Sequence, residues 1–191
     1  MTSETVDNEQ LLVRRAKEGD TTALRSVYKL YVRYLTAVCS RYITNSEDVK
    51  DILQDSFLKI FSTLDSYEYR GGGTLKSWLT KIVVNETLKF INKNNRLEFT
   101  DLAETADDIA DDIADEEPDL DCIPSQVIFD MIRQLPDGYR TIFNLYVVEG
   151  KSHKEIARLL NIGESTSASQ LHRAKNMLAA KIRQFQNARE L

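Results

Sequence analysis

A chain of 191 residues with 42% hydrophobic side chains is long enough for one large or two small packed domains, and no apolar run reaches the length of a membrane span. Two cysteines, Cys39 and Cys122, and two histidines nineteen residues apart leave no close group of ligands for a metal ion. The net charge of −5 argues against nucleic acid only until its distribution is followed: residues 97–122 carry twelve carboxylates and no Lys or Arg, whereas residues 1–96 come to +3 and residues 123–191 to +4.

The N-terminus, MTSETVDNEQ, is polar and acidic, unlike a secretory signal, so a cytoplasmic protein is expected. Long helical periodicities and few alternating stretches predict an all-α chain. Residues 9–18 form a first short helix with Leu12 and Ala16 inward. Asp20 or Thr21 caps a second, which runs to about Tyr42 and turns Leu24, Val27, Tyr28, Tyr31, Leu35, Val38 and Cys39 inward. Core packing is the expected job of Cys39. Thr44-Asn45-Ser46 breaks the chain and caps a third helix, SEDVKDILQDSFLKIFSTLDSY. Its apolar stripe is Val49, Ile52, Leu53, Ser56, Phe57, Ile60 and Phe61, and Asp51, Gln54 and Asp55 form an outward cluster. Nothing there would desolvate the carboxylates or set their pKa values apart, so by its pattern alone the cluster is a solvated face.

Tyr67 to Gly73 is aromatic, basic and glycine-rich, and without the Lys and Ser/Thr of a P-loop it reads as a mobile loop. The next helix, TLKSWLTKIVVNETLKFINKNNR, is apolar on most sides. At about 100° per residue, Lys81, Asn85, Lys89, Asn92 and Arg96 share one arc, with Trp78 at its N-terminal end. A basic and amide stripe beside Trp and Tyr suits strand backbones and stacked or flipped bases; a solvated stripe is the plainer alternative. Residues 97–122 form a linker whose internal echo, ADDIADDIADEE, places Ala106, Ile109, Ala110 and Ile113 on one potential helix face. Such a composition fits either a disordered tether or a transient amphipathic helix.

Pro124 opens a helix that ends at the turn signal Leu135-Pro136-Asp137-Gly138, and Tyr139 to Val148 forms another, burying Ile142, Phe143, Leu145 and Tyr146. Two helical patterns then meet across a very short break. The first turns Ile156, Ala157, Leu159 and Leu160 inward; Asn161-Ile162-Gly163 interrupts it with residues tolerant of left-handed backbone. The second, capped by Ser165 or Thr166, turns Leu171, Ala174, Met177, Leu178 and Ile182 inward. Helices joined so tightly cross steeply, leaving the second to project. Its outer side offers Ser169, His172, Arg173 and Asn176 to base edges, Arg173 in bidentate fashion, with Lys154, Arg158 and Lys175 placed for phosphates. A helical hairpin with a solvated polar face is the competing reading of this stretch alone.

Taken together, KDILQDSFLKIF (50–61), YRG (69–71), WLTKIVVN (78–85), the Leu135-Pro136 turn, and EIARLLNI with SQLHRAK resemble the extracytoplasmic-function (ECF) family of bacterial RNA polymerase sigma factors. The resemblance lies in the order and spacing of these motifs and covers nearly the whole chain except the linker. It implies two small helical domains joined by an acidic linker. Residues 1–96 would be a region 2-like domain that binds the polymerase clamp and opens the minus-ten element; residues 97–122 the linker; residues 123–191 a region 4-like helix-turn-helix domain that reads the minus-thirty-five element.

By matching position, the resemblance implies that Asp51, Gln54 and Asp55 face polymerase. It sets Tyr69, Arg70, Lys76 and Asn85 around a flipped non-template base, Trp78 adjoining, with Lys81, Lys89 and Arg96 on phosphates. Thr166, Ala168, Ser169, His172 and Arg173 fall at DNA-contacting positions, flanked by Lys154 and Lys175. The sequence departs from the family's pattern at Ala168, often basic there, at Ser167, often apolar, and at Asn161, usually glycine. Tyr69 aligns only with a longer loop. The implied protein is no enzyme, needs no cofactor, inserts in no membrane and is a monomer when free. Its implied partners are core RNA polymerase and promoter DNA, with an anti-sigma factor as a further partner that many relatives have and this sequence does not name. A conventional helix-turn-helix regulator with a helical dimerisation domain explains the last hairpin but not the aromatic and basic residues of 67–96. An enzyme finds no nucleophile–base pair or cofactor motif here.

Overall fold

The computed structural model describes residues 3–71, 74–94 and 123–188, with side chains from Asn8 onward. The acidic linker with its possible helix, Arg96, Cys122 and two glycines of the 67–73 loop lie outside the described residues. All regular elements among the described residues are helical, and they group into two compact units, Met1–Phe90 and Ile91–Leu191.

The first unit begins with α1 (Ser3–Lys17) and α2 (Thr21–Cys39). Asp20 caps α2 as expected: its carboxylate accepts hydrogen bonds from the Thr22 and Ala23 amides at 2.8 and 3.2 Å. The Arg15 hydrogen bond, aided by the Ala23 amide, holds its carboxyl below the ordinary value. Asn45 caps α3 (Ser46–Thr63) in the same way, through the Glu47 and Asp48 amides, and a tighter turn, Leu64–Ser66, ends it. The last long element here is α4 (Thr74–Lys93). Val27, Leu35, Val38, Ile60, Leu75, Leu79 and Val83 are closed to solvent, which marks the seam where these helices bury their apolar faces. Tyr28 does not join them. It is 44% exposed, its ring lying on Phe57 at 4.7 Å, because a tyrosine at the edge of the stripe can cover a core ring while keeping its hydroxyl in water.

Polar ties set the seat of α4. Tyr34 of α2 meets Thr80 at 3.2 Å, and buried Thr87 donates to the Cys39 sulfur at 3.5 Å. Burial pushes the Cys39 thiol up, consistent with a packing residue. Lys59 of α3 reaches Glu86 of α4 at 2.6 Å, and Lys89 shares the same carboxylate at 3.0 Å. Burial pushes the Glu86 carboxyl up, but the hydrogen bonds from Lys59 and Lys89 outweigh it and hold the group below its ordinary value of 4.5. A carboxyl depressed by folding contributes stability above its ordinary value, and that contribution is lost as pH falls through the folded one. Glu86→Gln is therefore expected to lower the urea midpoint reported by Trp78, the one tryptophan of the chain, at pH 7, and to match wild type near pH 3.

The second unit comprises α5 (Ser125–Arg133), α6 (Asp137–Phe143), a wide turn (Asn144–Val148), α7 (His153–Leu160) and α8 (Glu164–Asn187). Its core joins Ile123, Met131, Leu135 and Tyr139 to Ala174, Leu178 and Ile182 of α8. Helix α6 starts at Asp137, two residues ahead of expectation. Pro136 sits at its cap with φ −51°, already near the helical value, and Asp137 suits the positive end of the helix dipole. The expected straight helix to Val148 changes pitch instead, and the Glu149 amide donates five residues back to the Asn144 carbonyl at 3.0 Å. The wider turn rotates the side chains along it, so Tyr146, expected inside, is 38% exposed beside Val147 and Val148.

Arg140 is buried and fastens the corner between α5 and α6. Its guanidinium donates to the carbonyls of Arg133 and Leu135, at 3.2 and 2.7 Å, and pairs with Asp137 at 2.5 Å. Arg140→Met keeps the volume but strips two carbonyls of a charged donor. It is expected to destabilise this unit by about 2–3 kcal/mol, measured as faster amide exchange in α5 and α6.

Candidate nucleic-acid interface

The helix-turn-helix is built from α7 and α8. Ser152 and Glu155 form a reciprocal capping box at the start of α7, a pattern legible as Ser-x-x-Glu, and their hydrogen bonds hold the Glu155 carboxyl below its ordinary value. Asn161 ends α7 in the left-handed region, φ 55° and ψ 49°, as its short amide side chain permits. Helix α8 then starts at Glu164 with Gly163 at the cap, so Ser165 and Thr166 lie inside its first turn rather than capping it. Ile156, Ala157 and Leu160 are buried as expected, whereas Leu159 is at the surface, because a helix of two turns has only one face to bury.

On α8, Ala168, Ser169, His172 and Lys175 are exposed, while Thr166, Arg173 and Asn176 are half-buried. Asn176 meets the His172 ring at 3.2 Å, and the Ser169 hydroxyl donates to the Thr166 carbonyl. On α7, Lys154 and Arg158 are exposed. This surface presents polar groups and one guanidinium from α8, with cations at its flank, while the other side of α8 is buried in the core of the unit. Such a surface fits a duplex groove, where side chains reach base edges and lysines meet phosphates.

The first unit carries two further faces. On α3, Asp51, Gln54 and Asp55 are all exposed, and Leu58, 63% exposed one turn on, continues the stripe. Helical spacing does not single out Leu58, which lies off the apolar stripe of its helix; a large apolar residue on the polar side is the signal the sequence offers. On α4, Lys81, Asn85 and Lys89 are exposed along one line, with Lys89 shared with Glu86. Lys76 lies over the Tyr34 ring, 4.0 Å from its centre, and Trp78 is half-buried against Tyr67 at 5.2 Å. Arg70 pairs with Glu68 at 2.9 Å, both largely in water, where a phosphate can take the place of the carboxylate at little cost. Tyr69 lines a groove of about 430 Å³ with Gln10, Leu11, Val13, Arg14 and Lys17, which sets it against α1. The faces are separate surfaces, one acidic and one basic.

Residues 27–97 match the family model for sigma-70 region 2, and residues 125–178 match that for sigma-70 region 4, together well over half of the chain. The chain belongs to the sigma-70 family of RNA polymerase sigma factors. The ECF RNA polymerase sigma-E factor of Haemophilus influenzae is 28% identical over 182 residues, covering 91% of this sigma factor and 95% of the relative. Those of Escherichia coli K12 and Salmonella typhimurium LT2 are also 28% identical over 182 residues, covering 94% of each relative. Two solved structures are similar at a TM-score of 0.44. CnrH bound to the cytosolic domain of CnrY is 20% identical, covering 89% of this chain and 94% of that one; the RpoE sigma factor of Bartonella quintana bound to the anti-sigma factor NepR is 22% identical, covering 81% and 92%.

Proposed function

We infer that this sigma factor binds core RNA polymerase and directs it to promoters, contributing recognition and strand opening while the polymerase supplies the catalysis. The observation that carries the reading is the presence of both regions, 2 then 4, in one chain, each with an exposed polar face of its own. Residues 1–96 bind the polymerase clamp and open the minus-ten element, the linker 97–122 tethers, and residues 123–191 read the minus-thirty-five element. Asp51, Gln54 and Asp55 meet basic groups of the clamp, with Leu58 as their apolar anchor. Tyr69, Arg70, Lys76, Trp78 and Asn85 hold an extruded base, since unpaired bases are recognised by stacking and by hydrogen bonds to their edges. Lys81, Lys89 and Arg96 neutralise the strand that carries it. In the duplex, Arg173 with Thr166, Ala168, Ser169 and His172 faces the groove, and Lys154 and Lys175 hold phosphates.

On this reading the protein works in the cytoplasm alongside the polymerase, and an anti-sigma factor is the class of inhibitor that would compete for its acidic face. No helix among the described residues is long and apolar enough to cross a membrane. Gel filtration of the chain mixed with core polymerase is the test: co-elution at one-to-one stoichiometry is expected. Elution as a free dimer that binds palindromic DNA without polymerase would favour a conventional regulator.

A further inference from the structure

Three elements of the C-terminal unit meet on one imidazole. His153, the first residue of α7, places Nδ1 at 2.9 Å from the Ser167 hydroxyl of α8. The Tyr146 ring of the wide turn stacks on the imidazole, centre to centre 4.7 Å and 26° from parallel. Ser167 is fully closed to solvent, and its hydroxyl bonds to His153 in a position where an apolar residue would pack without any partner. A buried hydroxyl stripped of its partner is costly, so the bond fixes where α8 can lie. The change of pitch at Asn144–Val148 is what brings Tyr146 to the ring, and such turns recur at functional sites.

We propose that His153 is a positioning residue for promoter reading: through Ser167 it sets the roll of α8, and so where Ala168, Ser169, His172 and Arg173 stand in the groove. The proposal rests on the reading of α8 as the duplex-reading helix. Ser167 lies in the first turns of α8, beside Ala168 and Ser169 but on the opposite, buried side. Surface groups stand roughly 5–6 Å from a helix axis, so a roll of about 10° carries them roughly 1 Å. A shift of that size spoils the angle and distance of a bidentate contact to a base pair but leaves phosphate contacts nearly intact, because they are longer-ranged and less directional. His153 thus acts on selectivity more than on total affinity.

The test uses holoenzyme formed from the full chain and core polymerase, with duplex DNA randomised across the upstream element and sequenced after selection. His153→Phe keeps a ring against Tyr146 and removes Nδ1. Ser167→Val removes the hydroxyl and keeps the packing. Each is expected to reduce discrimination at the most selected base pair about fivefold, the double variant to show the same fivefold rather than the product of two losses, and His153→Asn, with an amide able to stand for Nδ1, to retain most of it. The thermal midpoint recorded beside each selection separates this from unfolding, and if His153→Phe does not fold, Ser167→Val and His153→Asn decide. Arg173→Ala serves as the control for the underlying reading. Loss of selectivity in Arg173→Ala with none in His153→Phe and Ser167→Val overturns the positioning role alone. No change in Arg173→Ala overturns the placement of α8 on DNA, and multiplied losses in the double variant overturn the coupling of His153 to Ser167.

Discussion

Replacing Asp51 and Asp55 together with lysine is expected to abolish assembly with core RNA polymerase while the helical fold stays intact. Both side chains are exposed on α3 beside Gln54, and none of the hydrogen bonds or ion pairs described above for the first unit passes through them. Substitutions at such positions usually change stability little. Across an interface the consequence is large. On the proposed clamp interface, reversing two charges set against basic groups would convert attraction into like-charge contact, and Leu58, 63% exposed one turn on, would compound the effect by excluding water once covered. Leu58→Ala should weaken the same complex without affecting its charge, and so separates the apolar anchor from the electrostatics. Retained association of the double lysine variant, with a native circular dichroism spectrum, would remove this face from the polymerase contact.

The second large effect divides the two proposed DNA faces by the step at which they fail. Asn85→Ala is expected to leave upstream duplex recognition unchanged and to suppress opening of the minus-ten element. Asn85 is exposed midway along the Lys81–Lys89 line of α4, where its amide can both donate and accept toward the edge of an extruded base. An alanine there loses that recognition without disturbing the buried side of α4. Arg173→Ala is expected to do the reverse: it should cost about 1–3 kcal/mol at one base pair of the upstream element and spare melting once the complex has formed. Permanganate reactivity of unpaired thymines, read beside a competition among duplex variants, scores both proteins in the same experiment. Equal melting by wild type and Asn85→Ala would contradict the role given to Asn85.

How far these faces are legible in the sequence depends on whether the signal is local. Asp20 and Asn45 announce the starts of α2 and α3 because a cap is a short-range bond between a side chain and amides two and three residues on. Asn161 announces the break in the hairpin because few residues accept its backbone angles. The exposed stripes of α3 and α4 come from helical spacing alone. What spacing cannot show is the change of pitch at Asn144–Val148, which a hydrophobic pattern does not encode, and which turns Tyr146 from an expected core residue into the partner of His153. Nor can it show Arg140, whose carbonyl acceptors at Arg133 and Leu135 come from a corner that exists only after α5 and α6 have folded. His153 looks inert in the sequence because a metal needs neighbours in ligand-binding positions, whereas a hydrogen bond to Ser167 needs only the hairpin to close.

The measurement that bears most directly on the sigma-factor assignment is transcription from a library of genomic fragments by core polymerase with and without the purified protein. The expected result is a new set of start sites that appear only with the protein and share a two-part upstream motif. That set should be lost with the Asp51 and Asp55 double lysine variant and shifted in sequence preference with Arg173→Ala. The same start sites with and without the protein would contradict the assignment.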